Sequence, residues 1–245
     1  MSMRYAGGII SATPPTVTTS SAKGMWTLSE QAQYKQQGVW PTYVAPPTTI
    51  GQAYGGGFYA GQIAVGGGGT ATHYLIVAPK ASGEATGKTW GTYGVVTGFT
   101  SVIDGPANTT GEAALGAAYE AAKFCEDLTI GDYSDWYLPA KNELEVLYYF
   151  LKPTTDANNT SSGSNANAVS PEPISTNYTS GSPAQTSAGI GFRTGETNAF
   201  ADVFYWSSTD FNAYFAWKQR FSDGAQSYFV KSDSLYARAV RRIPI

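Results

Sequence analysis

Along the chain, apolar positions change their spacing several times, and each change predicts an element. In "GMWTLSEQAQYKQQGVWP", Thr27 followed three residues later by Glu30 makes a capping box, Gly38 is placed to end a helix and Pro41 prevents its resumption. A helix of about ten residues is marginal alone in water. Trp26 and Trp40 flank this one, and Pro-rich stretches isolate it, so it is expected to dock on another surface with Trp26, Leu28 and Trp40 in the contact. Before it, "SATPPTVTTSSAK" has little to bury and predicts an extended tether.

Pro46-Pro47 and the glycines at 55–57 mark a boundary, giving an N-terminal arm over residues 1–50 and a main domain over 51–245. "GQIAV" and "HYLIVAP" predict paired strands joined by the Gly-rich "GGGGTAT". Leu115, Ala118, Ala122, Cys125 and Leu128 step by three or four, which predicts one helix over 111–128. A second helix over 140–151 buries Leu144, Leu147, Tyr148 and Leu151. Residues 153–188 are Asn, Ser, Thr, Gly and Pro with almost no apolar content, and a loop that long is either functional or mobile. After it the period becomes two. Phe215, Trp217, Gln219 and Phe221 share a face opposite Lys218 and Arg220, "SDG" at 222–224 turns the chain, and "QSYFVK" and "LYARAVRRI" continue as a three-stranded antiparallel meander. The fold class is therefore α+β, with two helices and antiparallel sheets.

Composition changes this picture only in what it excludes. The chain has 245 residues, 42% of them hydrophobic, but only 13% charged, with a net charge of -3, so nothing drives it toward nucleic acid or an anionic membrane. Cys125 is the single cysteine, which rules out an intrachain disulfide and fits folding in a reducing cytoplasm. Neither a secretory leader nor an apolar run long enough to span a membrane stands out.

Catalytic patterns are thin. "GEATGKT" at 83–89 misses the phosphate-loop motif because Ser82 stands where its first Gly belongs. His73 lies in an apolar strand and is expected to be structural. One His and one Cys are too few for structural zinc or a nucleophile–histidine pair, so no catalytic residue, metal or cofactor is assigned. Asp132 with Asp135, and Glu143 with Glu145, could pair as carboxylates, although turn and cap roles account for all four. Arg238, Arg241 and Arg242 are expected on the solvated face of an edge strand, where positive charge discourages edge pairing.

"GDYSDWYLPAKNELEVLY", "YWSST", "AWKQRFSDG" and "ARAVRR", in this order, resemble the Lcl-type domain (domain of unknown function 1566), whose members resemble C-type lectins. With "HYLIVAP" and the helix ending in Cys125, the likeness spans about 55–245. Where the family often has Ser or Thr before the helix of the "LP..EL" motif, Ala140 stands here, so a cap is lost while Glu143 remains. The segment from Lys23 to Pro41 is similar to short pieces of bacteriophage and prophage structural proteins. Together the resemblances imply a virion protein made in the bacterial cytoplasm. It would be a tail fibre or adhesin displaying a lectin-like domain, or else a capsid decoration or fibre component without a receptor. They further imply docking of the arm to other virion proteins, a homo-oligomer with a trimer favoured, and a host-surface glycan or protein as ligand. Its contact residues would lie in the turns of the aromatic segment: Asn212, Tyr214, Asp223 and Tyr228. The Glu-Pro-Asn and Gln-Pro-Asp signatures of calcium-dependent sugar binding are absent, so no calcium is assumed.

Overall fold

The structure, a computed structural model, describes residues 26–39, 45–169, 176–187 and 190–245. The chain divides into two units, Met1–Pro46 and Pro47–Ile245. In the first, α1 (Leu28–Gln36) starts as its sequence predicts. Thr27 accepts from the Glu30 amide at 3.2 Å, and Glu30 accepts from the Thr27 amide at 2.8 Å. No residue of α1 is buried within its unit, and Leu28 is 84% exposed. Trp26 meets Tyr34 edge-on at 5.3 Å, whereas Trp40 lies outside the described residues.

The second unit is α+β. Its elements are β1 (Ala53–Tyr54), β2 (Gly57–Ile63), β3 (His73–Val77), α2 (Lys80–Gly83), β4 (Glu84–Thr89), α3 (Gly105–Ala114), α4 (Glu120–Glu126), α5 (Lys141–Leu151), β5 (Phe204–Asp210), β6 (Phe215–Arg220), β7 (Gln226–Val230), β8 (Ser234–Arg238) and β9 (Val240–Pro244). One sheet has the order β1-β2-β3-β9, the other β4-β8-β5-β6-β7. The predicted β2–β3 pair is present. β6 and β7 form the predicted hairpin, but the third strand of the meander does not follow. Instead β8 crosses the sheet to lie between β4 and β5, parallel to β5, and β9 leaves to join the first sheet. The residues of β8 account for the move: Leu235 and Ala237 face one core while Tyr236 faces the other, a two-sided apolar strand that only a central position buries.

The single helix expected over 111–128 is two. α3 begins earlier, at Asp104, whose carboxylate accepts from the Ala107 amide with Pro106 in the first turn, and it stops at Leu115. Leu115 and Ala118 are exposed, and the apolar stripe belongs to α4 alone, through Ala122 and Cys125.

α5 forms where predicted and is buried on almost every side, because it packs against both sheets. Its missing cap is supplied from elsewhere. The Ala140 amide donates to Glu143 at 2.8 Å, the Lys141 amide to Thr209 Oγ1 at 2.9 Å and the Asn142 amide to the Val102 carbonyl at 2.8 Å.

The polar stretch 153–188, where described, is neither a lid nor a loose loop. Asn158, Asn165 and Asn167 point inward and replace backbone partners. Asn158 donates to the carbonyls of Thr179 and Pro183 while accepting from the Tyr148 hydroxyl and Lys152. Asn167 bonds the Ala64 carbonyl and Asn142. An irregular segment can be buried only if its backbone groups are satisfied in this way.

Candidate functional site

The β5–β6 turn is built by Asn212, whose Oδ1 accepts from the amides of Tyr214 at 2.8 Å and Phe215 at 3.0 Å. Asn212 is exposed, and its Oδ1 is engaged in forming the turn. The turn throws Phe211 and Tyr214 outward. Phe211 stacks face to face on Tyr228 of β7, with ring centres 4.2 Å apart and planes 4° from parallel. Trp217 stands edge-on to Phe211 at 5.4 Å, with the Lys141 ammonium 4.8 Å over its ring. Tyr214 leans on Tyr93 at 5.0 Å.

Residues 91–99 are pinned to this turn. The Gly94 amide donates to the Ala213 carbonyl at 2.9 Å, Thr97 bonds Asp210, and Lys231 bonds the Val95 carbonyl at 2.8 Å. The result is one aromatic surface in which Tyr93, Phe211, Tyr214 and Tyr228 are 58%, 41%, 46% and 48% exposed. Val96 of the same segment is also exposed, whereas Phe229 turns to the opposite face of the sheet, toward Trp206 and Lys218. β7 is the outer strand of its sheet, so the surface ends at a sheet edge.

Of the four expected ligand residues, the structure brings Asn212, Tyr214 and Tyr228 to this end of the hairpin and leaves Asp223 at the other. Asp223 is paired with Arg220 and accepts from the Ala225 amide at 3.1 Å. Burial opposes its ionisation, but the Arg220 and Ala225 hydrogen bonds outweigh it and hold the carboxyl below its ordinary range. The neighbouring Gly224 has φ +75° and lies so near the Tyr148 ring that a Cβ would stand 2.3 Å from it. That turn is a packing device. Tyr93 and Phe211, which complete the surface, were missed. "GTYGVVTGF" does carry a signal, apolar residues between glycines without either period, but no pattern rule assigns it to a face.

Glu143 and Glu145 resolve into separate structural roles, and Asp135 pairs with Arg241. Glu143 accepts from the Tyr137 hydroxyl at 2.7 Å and caps α5. Glu145 accepts from Asn165 at 2.6 Å and the Tyr178 hydroxyl at 2.7 Å. Both are buried, and burial pushes each up to about 7 against those hydrogen bonds. Two positions apart on a helix, they do not face each other.

The arginines are not the solvated face expected of them. Arg238 and Arg241 are buried and Arg242 is partly so. Arg238 pairs with Glu84 at 2.9 Å, Arg241 with Asp135 at 2.7 Å and Arg242 with Asp104 at 2.9 Å. These partners come from distant loops and from β4, so the cluster stitches the chain together.

"GEATGKT" is the end of α2 and the strand β4, not a phosphate loop. His73 is partly buried beside Thr72, and burial, with Arg242 nearby, pulls it below its ordinary range. Burial pushes the Cys125 thiol up. A cavity of about 400 Å³ also opens between Ile50, Tyr149, Phe150, Gln185 and Ile190. Among the described residues no group of three or more His, Cys, Asp or Glu side chains could hold a metal ion, and no helix is long and apolar enough to cross a membrane.

Residues 82–241, well over half of the chain, match the family model described as the Lcl C-terminal domain. The chain belongs to this family. No curated protein matches it. The Lcl C-terminal domain here runs from α2 to β9, so it contains the whole five-stranded sheet, α5 and the aromatic surface, while β1, β2 and β3 precede it.

Proposed function

We propose that this Lcl C-terminal domain is a recognition module with a C-type-lectin-like fold, which binds a host-surface glycan or protein through the aromatic end of its β6–β7 hairpin. The observation that carries this reading is the parallel Phe211–Tyr228 pair standing half-exposed beside Tyr93 and Tyr214. Large rings left in water cost free energy, and a contiguous group of them suits a partner's apolar face. Rings of this kind stack on the C–H faces of sugars and serve equally well as rigid anchors at protein epitopes. Nearby Thr, Asn and Asp side chains are already committed to holding the loops, so affinity is expected to come from stacking.

In this reading the protein is a virion component, a tail fibre or adhesin. Residues 1–50 dock it to other virion proteins and assemble it as a homo-oligomer, a trimer by analogy with fibres. The exposed Leu28 on a helix that buries nothing within its own unit supports that role. The test is to locate the chain on assembled particles by cryo-electron microscopy. Density at a tail or fibre tip with the hairpin outward is expected. Density on the capsid shell, with the hairpin against a neighbouring subunit, would replace recognition by decoration.

A further inference from the structure

Behind the aromatic surface the chain buries a lysine and two carboxyl groups together. Lys231 follows β7 and Asp210 ends β5, and both side chains are essentially inaccessible. The Lys231 Nζ lies 2.8 Å from Asp210 Oδ1 and 2.9 Å from Oδ2. The two oxygens are held differently. Oδ2 also accepts from the Thr97 amide at 3.1 Å and the Thr97 hydroxyl at 2.6 Å, while Oδ1 has no aligned hydrogen-bond donor.

The third member is Glu112 of α3, fully buried, with neither carboxyl oxygen hydrogen-bonded among the described residues. Packing sets α3 against β5, the strand that ends in Asp210. Asn108, one turn earlier on α3, donates to Ser208 Oγ two residues before Asp210. Gly111 lies so close to Phe99 that a Cβ would stand 2.2 Å from the ring, and the Phe99 carbonyl accepts from the Asp210 amide at 2.9 Å. The buried rings of Trp90 and Tyr119 line the same core, with Nζ 4.6 Å over Trp90. Burial, reinforced by the charge of Asp210 and opposed by Lys231, holds the Glu112 carboxyl well above its ordinary range, so it keeps its proton. A buried ion pair alone gives no reason for a buried acid with no partner beside it.

We propose that Lys231 and Asp210 condense to an intramolecular isopeptide bond, with Glu112 as the proton carrier. In this dry site the ammonium first passes a proton to Asp210 Oδ1, leaving a neutral amine and a carboxylic acid. The nitrogen lone pair attacks Cγ and the N–Cγ bond forms, while Thr97 stabilises the charge that develops on Oδ2. Glu112, which makes no hydrogen bond with Lys231 or Asp210 before condensation, turns toward them, accepts one proton from the attacking nitrogen on one oxygen and delivers its own from the other to Oδ1. The Cγ–Oδ1 bond breaks and Oδ1 leaves as water. Glu112 ends as it began, the amide keeps one hydrogen, and the net change is the loss of one water with no oxidant or reductant. The bond would close residues 211–230, the whole β6–β7 hairpin, into a covalent loop in a chain whose single cysteine excludes an intrachain disulfide. It is independent of what the surface binds.

The test is intact-mass spectrometry of the folded full-length protein, followed by peptide mapping. The wild type is expected to be lighter than its sequence by one water, with a branched peptide joining Lys231 to Asp210. Glu112→Gln and Lys231→Arg are expected to keep the full sequence mass. A folded wild type at full sequence mass overturns the proposal even if both variants fail to fold. So does a water loss mapped to an Asp-Gly step. Water loss that persists in Glu112→Gln overturns the role of Glu112.

Discussion

Phe221→Ala tests how the hairpin is anchored. Phe221 is fully buried, stacked on Phe200 at 3.9 Å and met by Tyr205 at 5.0 Å and Tyr148 at 5.7 Å. Removing the ring forfeits its burial and leaves a cavity among three aromatic neighbours that cannot collapse, which costs about 3–5 kcal/mol. The ring contacts put the value near the upper end. Against a total of roughly 5–15 kcal/mol this is a large fraction, and in a domain of this size it lowers Tm by roughly 6–20 °C. Phe215 and Trp217 share the face of Phe221 but sit only half-buried, so Ala at either costs clearly less, about 1–3 kcal/mol. Denaturant unfolding of the three variants, read as midpoint shifts at constant slope, gives the ranking. A Phe221→Ala shift below about 1 kcal/mol, or one smaller than that of Phe215→Ala, would refute the placement of the core on this face.

Thr209→Val removes the hydroxyl that receives the Lys141 amide and is expected to cost about 1–2 kcal/mol, largely restored by Ser; equal losses for Val and Ser would reject this borrowed cap. Arg238→Met takes the buried guanidinium from Glu84, which keeps the Tyr205 hydroxyl and Lys80, and costs about 3 kcal/mol, while pairing it with Glu84→Gln recovers most of that in thermal unfolding. Glu145 has an ordinary value of 4.5, which its unfolded form keeps, but is pushed up to about 7 when folded. The folded state therefore holds the proton longer, and stability falls as pH rises between these values and then levels off. Glu145→Gln should remove the part of that slope due to Glu145 and leave the part due to Glu143, and a wild-type-minus-variant difference that rises over this interval would contradict the sign. Binding to the host surface is expected to survive chelation with EDTA; loss restored by calcium would contradict stacking without metal.

How much of this was legible depends on the range of the interaction. α1 and α5 were legible because a capping box and the spacing Leu144, Leu147, Tyr148, Leu151 are local. The 111–128 helix was misjudged because Leu115 and Ala118 keep the period while the chain turns at Gly116, where φ is +109°. Burial of Arg238 and Arg241 was invisible, since the partners Glu84 and Asp135 lie 154 and 106 residues away. The same holds for β8, whose alternation is equally compatible with a meander and with a central strand. In the aromatic surface the hairpin rings were legible from alternation and turns. Their stacking on one another and the contribution of Tyr93 required the fold.

The central claim is that the exposed rings bind, and the most direct measurement is attachment of full-length Tyr214→Ala and Tyr228→Ala variants to host cells or isolated surface glycans, well below the melting transition. Tyr214→Ala is expected to change stability by no more than about 0.5 kcal/mol, and Tyr228→Ala by about 1 kcal/mol because Phe211 loses its stacking partner. The account predicts that both variants fold and that each weakens attachment at least about tenfold, the equivalent of roughly 1.4 kcal/mol. Folded variants that attach at wild-type strength would contradict it.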